Sequence, residues 1–71
     1  MYLFNRAVKA FNLGNYILAL SLFEESADNS PSGSTVEVYA RIQVINIAVS
    51  LGMTEKAQEN YEILQEQGTE F

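Results

Sequence analysis

A pattern of turn and packing residues occurs twice in this chain, at an offset of 38 residues. In each copy a glycine is followed five residues later by alanine and nine residues later by an aromatic residue. The two copies are Gly14, Ala19 and Phe23, and Gly52, Ala57 and Tyr61. Two helices that fold back closely need a turn residue, then a small residue and a ring on one helical face. A period of about 20 to 50 residues is typical of stacked repeats, so the sequence predicts two helical hairpins.

The first half contains two segments with helical periodicity. From Tyr2 to Leu13, apolar residues follow the i, i+3, i+4, i+7 spacing of one helical face. They are Phe4, Ala7, Val8 and Phe11. Asn15 is a candidate N-cap for the second helix, which has the same spacing in Tyr16, Ala19, Leu20 and Phe23. The run Asp28, Asn29, Ser30 and Pro31 is expected to end this helix.

Residues 29–35 form the only turn-rich stretch of any length and are expected to link the hairpins. Ser34 and Glu37 have the spacing of a capping box, which predicts that a third helix begins near Thr35. Thr54 is expected to cap the fourth helix. That helix carries Ala57, Tyr61 and Leu64, and Gly68 is its expected C-terminal stop. Residues Thr69 to Phe71 are expected to fray.

The third segment also fits a strand. From Val36 to Val44, apolar and polar residues alternate, and β-branched residues are enriched. Two helical faces are equally apolar, however: Val38, Ile42, Ile45 and Val49 on one, and Ala40, Val44, Ile47 and Leu51 on the other. The length of about 16 residues exceeds that of an ordinary strand, and a lone strand would have no partner. A helix buried on two sides is therefore favoured.

Composition restricts the function. A chain of 71 residues is one small domain, which buries only about 60% of its unfolded surface. The chain has no Cys and no His, which removes disulfides, thiolate nucleophiles, imidazole bases and the usual zinc ligands. The longest apolar runs are far shorter than the roughly 18 residues of a membrane span, and no basic segment precedes an apolar core at the N-terminus. We therefore expect a cytoplasmic protein that does not bind membranes.

The charges argue against nucleic-acid binding. Nine acidic and four basic residues give a net charge of −5, whereas phosphate binding draws on clusters of Lys and Arg. Arg6, Lys9 and Arg41 fall in the first helix of each hairpin. The carboxylates of the second helices are Glu24, Glu25, Asp28, Glu55, Glu59, Glu62 and Glu66. The two layers are thus expected to carry opposite charge, and an acidic face keeps a small domain soluble.

No set of residues indicates catalysis. The four glycines are single and fall at predicted helix boundaries, unlike a phosphate-binding loop. Glu55, Glu59, Glu62 and Glu66 recur at helical spacing, which is typical of an exposed stripe rather than of convergent, partly buried acids. We expect no enzyme activity, no metal and no cofactor.

The first half resembles a tetratricopeptide repeat. Residues Ala7 to Pro31 read A-x2-A-F-x2-G-N-Y-x2-A-x3-F-x7-P, in which the family positions are Ala7, Gly14, Tyr16, Ala19, Phe23 and Pro31. Ser26 stands where a second alanine is common. The second half matches less well, with Ala48, Gly52, Ala57, Tyr61 and Leu64, but with Thr54 at the place of the turn tyrosine and no closing proline. The usual period is about 34, which implies about four extra residues between the hairpins, within Asn29 to Thr35.

This resemblance implies one all-α domain over residues 1–71, with repeat one at about 1–31 and repeat two at about 35–68. It also implies a groove lined by the first helix of each hairpin. The matching positions are Phe4, Val8, Phe11, Asn12, Tyr39, Ile42, Asn46 and Ser50. Chaperone-binding members of the family clamp a peptide carboxylate with Lys, Arg and Asn, whereas Phe4 and Val8 stand where Lys and Asn would be needed. A carboxylate clamp is therefore disfavoured.

Two hairpins leave two apolar end faces open, since stacked repeats normally need three or more units. Ile17, Leu18 and Leu22 are apolar residues beyond the packing face of helix two and are a candidate association surface. We therefore expect a non-catalytic protein-interaction module, with a homo-oligomer as its most concrete form and peptide capture in the groove as an alternative.

A second alternative is an accessory segment of a larger enzyme. Residues Ala7 to Ala27, with A-x2-A-F followed by Y-x-L-A-L-x-L-F-E-x-S-A, are similar to the N-terminal helical segment of bacterial capsular polysaccharide polymerases. In that family the glycosyltransferase chemistry lies in later domains.

Overall fold

The computed structural model describes residues 2–68, and this part of the chain is all-α. The helices are α1 (Tyr2–Asn12), α2 (Tyr16–Asp28), α3 (Thr35–Ser50) and α4 (Thr54–Glu66). Each helix packs against the next one along the chain, which forms two hairpins, α1/α2 and α3/α4, joined by contact between α2 and α3. The predicted fold class is confirmed. The predicted fraying of residues 69–71 lies outside the described residues.

The third segment is a helix despite its β-branched residues. Ala40, Val44 and Ile47 are buried in the core, so tertiary packing outweighs the weak helix propensity of Val and Ile. The second predicted apolar face is covered only in part. Val38, Ile42 and Ile45 are half-buried and Val49 is exposed, so the prediction of a helix enclosed on two sides is too strong.

The turns within the two hairpins have the same hydrogen-bond pattern. In the first, Asn15 N donates to Ala10 O at 2.9 Å and Gly14 N donates to Phe11 O at 3.0 Å. In the second, the bonds run from Met53 N to Ala48 O at 2.8 Å and from Gly52 N to Val49 O at 3.1 Å. This is the Schellman arrangement, with each glycine in the left-handed region at φ +80° and +74°. The 38-residue offset of the sequence is therefore also an offset of structure.

Gly14→Ala and Gly52→Ala should each lower the free energy of unfolding by about 1–2 kcal/mol. A Cβ at either position meets no atom within 4 Å, so the cost comes from the left-handed backbone alone. Gly14→Asn should cost less, because asparagine tolerates this conformation better. Urea unfolding followed by circular dichroism measures all three variants. Alanine variants as stable as the parent would contradict the backbone assignment.

Two predicted caps are confirmed. Asn15 Oδ1 accepts a hydrogen bond from Leu18 N at 3.4 Å, and Ser34 Oγ accepts one from Glu37 N at 3.2 Å. The capping box is not reciprocal, however, because the Glu37 carboxylate accepts from Gly33 N at 2.7 Å and not from Ser34 N. Gly68, at φ +81°, follows the end of α4 as expected.

Two predicted helix boundaries are wrong. Thr54 is the first residue of α4 rather than its cap, because the Schellman turn places Met53 at the N-cap position, without a side-chain cap bond. Met53 is the equivalent of Asn15 at the 38-residue offset, so the second turn lacks the polar side chain that caps α2. Helix α1 ends at Asn12, one residue before the predicted Leu13.

The core lies between the helices and is centred on α2. Phe23 is only 2% exposed and contacts the ring of Phe4 edge-on, with 5.4 Å between ring centroids. Small residues bring the helices close, since Ala7, Ala19 and Ala40 are fully buried. The predicted roles of Ala19 and Phe23 in the first hairpin are thus confirmed.

Candidate association surface

One face of α1 is open where the equivalent face of α3 is buried. The 38-residue offset pairs Tyr2 with Ala40, Arg6 with Val44, and Lys9 with Ile47. The three residues of α3 are buried, whereas the three residues of α1 are exposed. Both α1 and α3 pack against the second helix of their own hairpin, but only α3 also packs against a preceding hairpin, through α2. The exposed face of α1 is therefore the one that a preceding hairpin would cover.

This face continues onto the turn and α2 as a shallow groove of about 320 Å³. We define the open face by the exposed residues that line the groove: Tyr2, Arg6, Lys9, Leu13 and Leu18. Leu13 is 76% exposed and Leu18 43% exposed, and Ile17, next to Leu18, is 65% exposed. Large aliphatic side chains together at such exposure are typical of interaction surfaces.

The three residues predicted as an association surface do not share one environment. Ile17 and Leu18 are exposed, as the prediction requires. Leu22 is only 5% exposed, because it is part of the core and forms the floor of the groove. The spacing of i and i+4 placed Leu18 and Leu22 on one face correctly, but it could not show how deep each lies. Sequence reasoning missed Tyr2 and Leu13. The repeat offset carried a signal only for Tyr2, because Leu51, the equivalent of Leu13, is itself exposed.

The open face is basic as well as apolar. Arg6 and Lys9 line the groove, and the Arg6 guanidinium lies 5.5 Å from the centroid of the Tyr2 ring. The groove is lined by no carboxylate of the described residues. The other two cations outside the masked termini, Arg41 and Lys56, are engaged in ion pairs. The chain has a net charge of −5, and the cations that remain available for contact with a partner lie on the open face.

The predicted layering of charge is wrong for Arg41, which is buried. Its Nε donates to Glu37 Oε2 at 2.9 Å and its Nη1 donates to Asn60 Oδ1 at 2.9 Å. Its Nη2 also lies 3.4 Å from Oδ1 of Asp28, whose side chain is mostly exposed. This cluster joins α2, α3 and α4 and has a structural role. The i, i+4 spacing of Glu37 and Arg41 was a signal for it in the sequence.

The Glu37 carboxylate is held in its charged form within this cluster. Burial tends to raise the pKa of Glu37, but hydrogen bonds from Gly33 N, Arg41 and Gln67, together with the charge of Arg41, outweigh it. The net result is a pKa below the ordinary value. Gln67 Nε2 donates to Glu37 Oε1 at 3.0 Å, which ties the end of α4 to the start of α3.

Some of the predicted groove residues pack against the core, and the others are exposed to solvent. Phe4 and Val8 are half-buried against the core, and Phe11 is 40% exposed and contacts Tyr16 edge-on at 5.3 Å. The remaining predicted positions lie on α1 and α3: Asn12, Tyr39, Asn46 and Ser50, which are exposed, and Ile42, which is half-buried. Ser50 Oγ donates to Asn46 O at 3.0 Å, an ordinary contact within a helix. Their role in binding a peptide stays a prediction.

The far end of the molecule carries negative charge. Four carboxylates follow the exposed side of α4 at the predicted spacing, and we call them the acidic stripe: Glu55, Glu59, Glu62 and Glu66. Two of them, Glu55 and Glu59, border a shallow depression of about 450 Å³ at the start of the helix.

Residues 2–68 contain no group of three or more acidic side chains placed to hold a metal ion. No helix in this range is long and apolar enough to cross a membrane.

Comparison with protein-family models, with curated proteins and with solved structures found no match to this chain.

Proposed function

We propose that this chain is a non-catalytic, tetratricopeptide-like association module of the cytoplasm that forms homo-oligomers through its open face. The observation that carries the proposal is the difference between equivalent faces. Ala40, Val44 and Ile47 of α3 are buried, and α3 packs on the preceding hairpin through α2, whereas the same face of α1 is exposed. Repeat arrays are stable because neighbouring units cover such faces, and end units normally carry a polar surface.

The aliphatic content of the open face favours a protein partner. Leu13 and Leu18 of the open face, and Ile17 next to Leu18, are more than a third exposed and belong to one turn and the helix that follows it. Burial of a large aliphatic side chain contributes about 1.5–3 kcal/mol, so a partner that covers two or three of them gains measurable affinity. The stems of Arg6 and Lys9 add apolar area while their charged ends stay in solvent.

Light scattering coupled to size exclusion, over a concentration series, tests this proposal. The apparent mass should increase with concentration, and Ile17→Ser with Leu18→Ser should weaken the association by at least about thirtyfold, because the variant removes apolar area without changing the charge. Val49→Ser is the control, because Val49 is as exposed as Ile17 but lies on α3. It should associate as the parent does. A parent chain that stays monomeric at all concentrations would contradict self-association.

A further inference from the structure

We propose that the open face binds the acidic stripe of a second copy, so that copies stack head to tail. This inference rests on the proposed function and adds the partner surface and the direction of assembly. The head-to-tail arrangement is inferred from the contact between the two hairpins of one chain, because that contact shows how one repeat unit packs on the unit before it.

Within the chain, α2 presents carboxylates to the second hairpin. The Glu24 carboxylate accepts two hydrogen bonds from Lys56 Nζ, at 2.8 and 2.9 Å. Asp28 Oδ1 lies 3.4 Å from Arg41 Nη2. The hairpin contact therefore combines the buried apolar faces of α2 and α3 with two ion pairs whose acids come from α2.

The same acidic positions recur on the exposed side of α4. The 38-residue offset maps Glu24 to Glu62 and Asp28 to Glu66, and both belong to the acidic stripe. Only some of the apolar positions are kept, since Leu20 maps to Gln58 and Ala27 maps to Gln65. A stacked second copy would thus keep the two carboxylates and lose part of the apolar contact. The resulting association depends strongly on charge.

The open face supplies cations close to the positions that this stacking requires. The two cations of the hairpin contact, Arg41 and Lys56, correspond at the 38-residue offset to Leu3 and Leu18. Arg6 lies one helical turn beyond Leu3, and Lys9 lines the same groove as Leu18. Neither cation has an ion-pair partner within residues 2–68, so both are available to carboxylates of a second copy.

A symmetric dimer of two open faces is disfavoured by the same charges. It would bring Arg6 and Lys9 of both copies into one interface that has no carboxylate among its lining residues. Like charges placed together across an interface are costly, whereas opposite patches favour the encounter. Head-to-tail contact is heterologous, so it leads to rings or to open chains of copies rather than to a closed dimer.

Charge reversal on each surface tests the direction of assembly. The first variant carries Arg6→Glu with Lys9→Glu, and the second carries Glu62→Lys with Glu66→Lys. Each variant has two surfaces of like charge in a head-to-tail contact, so each should associate at least about tenfold more weakly than the parent. An equimolar mixture restores opposite charges at every contact and should recover association to within about threefold of the parent. Sedimentation velocity at low salt measures all four samples, with circular dichroism to verify folding.

The control is Glu25→Lys with Asn46→Lys and Ser50→Lys, which makes the same change in net charge at exposed positions outside both the open face and the acidic stripe. This control should associate as the parent does. Retained association of the Glu62 and Glu66 variant would overturn head-to-tail stacking and indicate contact between open faces. A mixture no more associated than its components would overturn it as well. In both cases the proposed function stands if the parent associates, whereas a monomeric parent removes both proposals.

Discussion

Arg41→Leu should lower the free energy of unfolding by about 3–5 kcal/mol, because it leaves the Glu37 carboxylate buried without its counter-charge. Small domains have roughly 0.05–0.15 kcal/mol of stability per residue, so this loss approaches the whole stability of the chain. The variant also frees Asn60 Oδ1, which is buried and accepts from Arg41 Nη1. Urea unfolding followed by circular dichroism measures the effect.

Lys56→Leu is the matched control for Arg41→Leu. It also removes a cation from an ion pair between helices, but both side chains of the Lys56–Glu24 pair are about one-third exposed, so we expect a loss of at most about 1 kcal/mol. If Arg41→Leu fails to fold, Arg41→Lys keeps the charge without the planar guanidinium and should give a measurable, smaller loss. A loss for Arg41→Leu no larger than that for Lys56→Leu would contradict the structural role of the cluster.

The same cluster gives the fold a dependence on acid pH. Because the pKa of Glu37 is lower in the folded chain than in the unfolded one, the unfolded state binds more protons between the two pKa values. The stabilisation is therefore complete above the ordinary glutamate pKa of about 4.3 and is lost as pH falls through the folded value. Glu37→Gln should remove this part of the pH dependence, whereas Glu25→Gln, at an exposed site, should leave it unchanged.

Phe23→Ala should lower the free energy of unfolding by about 3–5 kcal/mol. Phe23 is among the largest fully buried side chains of residues 2–68, and its removal leaves a cavity among α1, α2 and α3. It also removes the edge-on contact with Phe4, and such aromatic pairs contribute about 0.5–1.5 kcal/mol beyond area burial. Urea unfolding measures the loss, and Phe23→Leu fills most of the cavity and should recover more than half of it.

Phe11→Ala makes the same chemical change at a site that is 40% exposed, and it serves as the control for Phe23→Ala. We expect a loss of about 1 kcal/mol there, mostly from the contact with Tyr16. Equal losses at Phe11 and Phe23 would show that the core is not centred on α2.

The helices could be predicted because their signals are local. The apolar periodicity of α1 and α2, the Ser34 cap and the left-handed glycines each depend on residues within a few positions along the chain. The position of the α4 N-terminus could have been predicted as well. Met53 is the equivalent of Asn15, and the repeat offset places the N-cap there rather than at Thr54.

The candidate surface could be predicted only in part. Ile17 and Leu18 were found because they are apolar residues beyond the packing face of α2. Tyr2, Arg6 and Lys9 were missed as surface components, since exposed polar and aromatic residues on a helix are common and local sequence gives no reason to group them. Their grouping depends on the comparison with α3, which is covered by the preceding hairpin.

The sequence by itself determined the number, type and order of the helices and the repeated turn, because periodicity, caps and glycine conformations act over one or two helical turns. Only the tertiary structure decided which chemically similar residues are covered. Leu18 is exposed and Leu22 is buried one turn later, and Arg6 is exposed while Arg41 is enclosed. Burial depends on neighbours that are distant along the chain, and here the decisive one is α2, which covers α3 but has no counterpart over α1 within residues 2–68.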